Sequence, residues 1–167
     1  MNVLVAYASK TGTTQRAAAK LAERIAQSGA KAELVNLNTA APDCAAYDAV
    51  AIGGSIRMGL LHHSAKKYIA ANVDKLQSLP VGFFCCRCGK DDTRAVLTAQ
   101  IGAKLMAHAA AVASFGGELN PALQKGIDRI VVAIVSKSEQ SSAMQADGIH
   151  VERIAEFADT LVQAVQA

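Results

Sequence analysis

Ser9, Thr11, Thr13 and Thr14 crowd the loop Ser9-Lys10-Thr11-Gly12-Thr13-Thr14, which follows an apolar run and opens into a helical pattern. A turn of this kind surrounds a phosphate with backbone N–H groups and hydroxyl donors, and the dipole of the following helix favours the negative charge. The loop therefore reads as an anion site. It lacks the Gly-x-x-x-x-Gly-Lys-Ser/Thr order of a triphosphate loop and the three glycines of a dinucleotide fingerprint, which argues against nucleoside triphosphates and NAD. The alternative is an ordinary strand-to-helix turn whose hydroxyls cap the helix.

Two further loops carry polar groups in unusual density. The first is Gly53-Gly54-Ser55-Ile56-Arg57-Met58-Gly59-Leu60-Leu61-His62-His63. An unperturbed imidazole titrates near neutrality, so His62 and His63 suit proton transfer, with a solvated pair that caps the next helix as the competing reading. Arg57 is either a recognition group for a propionate or an exposed charge. The second is Cys86-Arg87-Cys88-Gly89-Lys90-Asp91-Asp92, in which the two aspartates suit the start of a helix. Cys85, Cys86 and Cys88 lack a convincing fourth ligand for an iron–sulfur cluster, because Cys44 falls on another loop; reduced structural thiols and no metal are expected. His108 falls on the core side of its helix and reads as a structural histidine.

These loops need a scaffold that brings them together, and the hydropathy pattern supplies one. Val3–Ala8, Ala49–Ile52, Val81–Cys85 and Ala111–Phe115 are short apolar runs that suit strands buried on both faces, whereas Ala32–Leu37 alternates as an edge strand does. Between them lie helical stripes. Ala18, Leu21, Ala22 and Ile25 form one from Thr13, stopped at Gly29; Ala65, Tyr68, Ile69, Val73 and Leu76 form the next. Leu97, Ile101, Leu105 and His108 follow, and Ile154, Ala158, Leu161 and Val165 close the chain. Strands alternating with helices predict an α/β fold with a doubly wound five-stranded parallel sheet, since parallel neighbours need crossover connections. An extra helix is predicted from about Pro121 to Lys137, with Ile130–Val135 as a competing sixth strand, and a polar loop from Ser138 to Gly148. Its face of Leu123, Ile127, Ile130, Val131, Ile134 and Val135, flanked by Lys125, Arg129 and Lys137, suits a membrane surface or quinone, or else the core or a second subunit.

Against this pattern, the first loop resembles the phosphate loop of the flavodoxin family, Ser/Thr-x-Thr-Gly-x-Thr, matched by Ser9, Thr11, Gly12 and Thr14. The resemblance extends over nearly the whole chain, and it implies a flavodoxin-like sheet of order 2-1-3-4-5 with FMN at the carboxyl ends of the strands. It places the FMN phosphate on Ser9, Lys10, Thr11, Gly12, Thr13 and Thr14. Gly54, Ser55, Ile56, Arg57, Met58 and Gly59 are implied on one side of the ring, and Cys86, Arg87, Cys88 and Gly89 on the other, chiefly through backbone. Arg87 would favour an anionic reduced flavin. Gly-Gly-Ser-Ile-Arg-Met-Gly followed by His63 is similar to the menaquinone-dependent protoporphyrinogen IX dehydrogenase (protoporphyrinogen oxidase) subgroup. That likeness implies an FMN-dependent oxidoreductase of haem biosynthesis, taking hydrogens from protoporphyrinogen IX and passing electrons to a quinone. His63 and Arg57 are its catalytic candidates. The chain has no Trp, and neither ring loop offers a Tyr, so Met58 or Leu60 is expected to cover the ring.

Composition narrows the classes. The chain has 167 residues, enough for one domain with its own core, and no apolar run reaches the ~18 residues of a membrane span. The first residues carry no secretory signal pattern, so a cytoplasmic protein is expected, with the Pro121–Lys137 face allowing peripheral contact with the inner side of the cell membrane. A net charge of +3 without a basic run argues against nucleic acid, and mildly against an acidic electron carrier docking on redox protein partners. Such a carrier, or an FMN-dependent quinone reductase, is the alternative to the oxidase-like enzyme; a homo-oligomer is compatible with any of these.

Overall fold

The computed structural model describes residues 1–88, 92–117 and 148–167. Five strands form a parallel sheet: β1 (Asn2–Ala8), β2 (Lys31–Asn36), β3 (Ala49–Arg57), β5 (Val81–Cys86) and β6 (Ala111–Ser114). Their order is β2-β1-β3-β5-β6, and the two-residue β4 (Leu60–Leu61) pairs antiparallel with the end of β3. Setting β4 aside, this is the predicted 2-1-3-4-5 order of a flavodoxin-like fold.

Alternate strand residues enter opposite faces, as the pleat requires. Val3, Val5, Ala49, Ala51 and Phe84 pack under α1 (Thr13–Gln27) and α6 (Val151–Gln166). Leu4, Ala6, Val50, Ile52, Phe83 and Cys85 pack under α2 (His63–Ala71), α3 (Val73–Leu76), α4 (Thr93–Ile101) and α5 (Ala103–His108). Such two-sided burial explains the continuous apolar runs of the central strands. The chain leaves β1 toward one face and β3 toward the other. The carboxyl ends of β1 and β3 thus flank a topological switch point, where open α/β sheets present their crevice.

Several boundaries differ from those read in the sequence. The stripe from Ala65 to Leu76 is two helices, broken at Asn72, whose backbone leaves the helical region with φ −124°. The stripe from Leu97 to His108 breaks at Gly102, with φ 92° and ψ 148°. That break shifts the register of α5, so His108 lies exposed rather than on the core side. It is still a satisfied structural residue, with Nε2 2.9 Å from the Leu79 carbonyl oxygen. The segment after Ile52 continues as strand to Arg57, because backbone pairing outlasts the apolar run: Gly53 and Gly54 pair with β1, Gly53 to Ser55 with β5, and Ile56 and Arg57 with β4. The predicted helix Pro121–Lys137, its alternative strand Ile130–Val135, and all of the predicted loop Ser138–Gly148 except Gly148 lie outside the described residues.

Candidate functional site

The parallel sheet brings the three polar loops to one edge, because β1, β3 and β5 are neighbours and all end there. At the first loop the N-cap of α1 is Gly12, in the left-handed region at φ 91°, a conformation that favours glycine. No side chain caps the helix. The first intrahelical backbone bond runs from Arg16 N–H to Gly12 O at 3.0 Å, so helix geometry leaves the N–H groups of Thr13, Thr14 and Gln15 without intrahelical acceptors. Ser9 Oγ accepts the Gly12 N–H at 3.0 Å and closes the turn. Thr14 is fully buried, and its Oγ1 has no hydrogen-bond partner among the described residues. The hydroxyls offered as caps for α1 make no capping bond at Gly12. An uncapped helix start beside an orphaned buried hydroxyl fits a phosphate, which would accept from all of these donors.

At the second loop β3 and β4 form a hairpin whose two turn residues, Met58 and Gly59, both have positive φ, 50° and 76°. Met58 is 98% exposed and Leu60 62% exposed at its tip, while Ser55, Ile56 and Arg57 are half-buried along its stem. The glycines before the hairpin serve the protein's own packing. A Cβ on Gly53 would fall 2.1 Å from the Phe84 ring, and one on Gly54 would fall 3.0 Å from Leu61 and 3.2 Å from His62 Cβ. Of the histidines, His63 is exposed in the first turn of α2, and His62 is its half-buried N-cap, Nδ1 accepting the Ser64 N–H at 3.3 Å. Burial holds His62 below its usual pKa, and the neighbouring His63, Lys10 and Arg57 act in the same direction. Lys10 of the first loop and Arg57 of the second thus both act on His62. The sequence offered the pair either for proton transfer, with His63 named as a catalytic candidate, or as a cap of the next helix; in the structure it is His62 that makes the capping bond.

At the start of the third loop, Arg87 is held at both its backbone and its side chain. Arg87 N–H donates to Gly116 O at 2.9 Å, and the Arg87 side chain is ion-paired with Asp92. Asp92 stands at the N-cap of α4 but makes no capping bond; its carboxylate serves Arg87 instead of the helix start expected from sequence. Cys85 and Cys86 are buried on opposite faces of the sheet, and Cys88 is half-buried against Gly117. Cys44 sits apart beneath α2, where burial pushes its thiol pKa up. Among the described residues no group of three or more His, Cys, Asp or Glu side chains is placed to hold a metal ion. Gly89, Lys90 and Asp91 lie outside the described residues. A separate groove beside edge strand β6, lined by Arg94, Arg153 and Phe157 among others, contains none of the predicted cofactor residues.

Comparison with known proteins agrees with this architecture. The family description Flavodoxin domain matches residues 4–145. Protoporphyrinogen IX dehydrogenase [quinone] of Escherichia coli (strain K12) is 29% identical over 85 residues, 50% of this chain and 47% of that protein. The chain thus spans about half the length of the curated relatives it matches. A flavodoxin from the domain Archaea superposes with a TM-score of 0.65 at 11% identity, and the two-electron reduced flavodoxin of Megasphaera elsdenii with 0.61 at 17%. Each match covers 100% of both chains.

Proposed function

Because this chain belongs to the flavodoxin domain family, we propose that it binds FMN at the edge where β1, β3 and β5 end, and that it is an oxidoreductase acting on a porphyrinogen with a quinone as acceptor. The observation that carries the cofactor reading is the buried, unpartnered Thr14 hydroxyl at the uncapped start of α1. Ser9, Lys10, Thr11, Gly12, Thr13 and Thr14 would hold the phosphate. The backbone of Gly54–Gly59 and of Cys86–Cys88 would border the ring. FMN, when bound, supplies the electron-transfer chemistry. The protein's part is to donate hydrogen bonds from the α1 N-terminus, to offset negative charge with Lys10, and to exclude water along the hairpin stem. Arg57, half-buried at the end of β3, is suited to orient a substrate carboxylate. The porphyrinogen and quinone rest on the Ser55-Ile56-Arg57 wording and on the Escherichia coli relative.

The purified protein should take up FMN in preference to FAD or NAD, with a flavin absorption spectrum. Thr11→Ala combined with Thr14→Ala should weaken FMN binding about tenfold or more by removing hydroxyl donors; unchanged affinity would place the phosphate elsewhere. Steady oxidation of protoporphyrinogen with a menaquinone analogue, in the absence of any protein partner, tests the enzymatic half. Arg57→Ala should raise the KM for the porphyrinogen about tenfold or more while sparing FMN affinity, as loss of a charged hydrogen bond of about 1.5–3 kcal/mol predicts. A carrier reading is favoured by the end-to-end likeness to flavodoxins. It would be recognised by reduction and reoxidation only through partner proteins, with no turnover of either small molecule.

A further inference from the structure

One continuous chain of hydrogen bonds joins the hairpin to the phosphate loop. His62 N–H donates to Ser55 O at 3.0 Å, which anchors it to β3. Its Nδ1 accepts the Ser64 N–H at 3.3 Å; Ser64 Oγ donates to Asn38 Oδ1 at 2.8 Å; Asn38 Nδ2 donates to Ser9 O at 2.9 Å. Ser9 Oγ then accepts the Gly12 N–H at 3.0 Å, at the first residue of the α1 cap. Three segments distant in sequence, the ends of β1, β2 and β3, are thereby fixed to one another. Only the neutral imidazole can complete the chain. A nitrogen that accepts from Ser64 carries no proton, so the ring's proton is on Nε2; an imidazolium carries protons on both nitrogens and accepts nothing.

We propose that His62, held as its neutral Nε2–H tautomer, is a positioning residue that locks the phosphate loop and the β3–β4 hairpin in one arrangement, so that proton uptake by His62 weakens FMN binding. The inference rests on the FMN reading above. The charged and titratable groups acting on the ring are His63 on α2, Lys10 on the phosphate loop and Arg57 at the end of β3; each disfavours a further positive charge, and burial does so most. With the folded pKa lowered, the unfolded chain binds the proton first on acidification. The locked arrangement is therefore fully present above about pH 6.5 and is lost as pH falls through the lowered folded value.

The test is an FMN titration of apoprotein, followed by quenching of flavin fluorescence at about pH 8 and about pH 5.5. The FMN phosphate titrates in the same range but does so equally for every variant, so differences between variants report on His62. His62→Ala should weaken binding roughly fivefold at the higher pH, as loss of a cap predicts. His62→Asn, which restores a capping acceptor that cannot titrate, should recover most of that loss and show a smaller acid-induced weakening than the parent. Asn38→Ala, which cuts the chain at its middle, should likewise flatten the acid response. Nitrogen-15 NMR of the apoprotein should find His62 Nδ1 unprotonated and Nε2 protonated at neutral pH. An Nδ1–H tautomer, or a His62→Asn variant with the parent's full acid response, overturns the proposal while leaving the FMN reading intact. A parent that binds no FMN at pH 8 overturns the FMN reading and the proposal with it.

Discussion

Thr14 carries a buried hydroxyl that nothing among the described residues satisfies. An unpaired buried donor of this kind costs about 1–3 kcal/mol, which a ligand accepting from it would relieve. Stability and affinity should therefore respond in opposite directions to Thr14→Val, which keeps the shape and removes the hydroxyl. The apoprotein should be as stable as the parent or more so, while FMN affinity falls about tenfold. Thermal unfolding of both apoproteins and an FMN titration check the two halves; a destabilised apoprotein would mean that the hydroxyl has a protein partner. The sequence named Thr14 as a phosphate ligand from its spacing to Gly12. It could not distinguish a ligand from a helix cap, since both uses want a hydroxyl at the start of a helix. His62 was harder still, because its function depends on Asn38 and Ser64, and only folding makes the three neighbours.

At the scale of elements, the β3–β4 hairpin is where local preference and observed conformation disagree. Its two-residue turn requires positive φ at both positions, which favours Asn-Gly, yet Met58 fills the first. A left-handed conformation costs an ordinary side chain about 1–2 kcal/mol, and at 98% exposure Met58 recovers nothing by burial in the protein. Met58→Asn should raise stability by roughly 0.5–1 kcal/mol in denaturant unfolding. It should also weaken FMN binding if the methionine side chain covers the ring; equal affinity would assign the exposed tip to some other contact. No hairpin was legible here. Glycines and polar residues from Gly53 to Arg57 conceal the strand, whose pairing with β1 and β5 is long-range. The missing Cβ atoms at Gly53 and Gly54 make room for Phe84 and for Leu61 and His62.

Across the whole molecule, the helix layer of α1 and α6 is tied to the sheet by three aromatic rings. Phe84 stacks on Phe115 at 4.8 Å between centroids, and Phe157 of α6 meets both edge-on at 6.0 and 5.3 Å. Gly82 lies directly under this ring, where a Cβ would come within 2.5 Å of Phe157. Arg24 reinforces the same layer, its Nη2 donating to both carboxylate oxygens of Asp159 at 2.8 Å. Phe157→Ala should cost about 3–5 kcal/mol and lower the Tm by roughly 10 °C, measured by circular dichroism. Loss of α6 packing leaves the α1 N-terminus standing on β1, so FMN binding at low temperature should survive; its simultaneous loss would show that both ends of the α1 layer act as one unit. Among the described residues no helix is long and apolar enough to cross a membrane.

The sequence by itself determined the alternation of strands and helices and the parallel sheet, and it marked the first loop as the candidate anion site. Each of these follows from short-range patterns: apolar runs buried on two faces, helical stripes, and hydroxyls beside a glycine at a helix start. Only the tertiary structure decided which hydroxyl is orphaned among the described residues, that Arg87 is ion-paired with Asp92, and that His62 is tied through Ser64 and Asn38 to the first loop. Those facts depend on residues brought together across the ends of separate strands. A periodicity records which face a residue occupies, but carries no information about the partner it meets there.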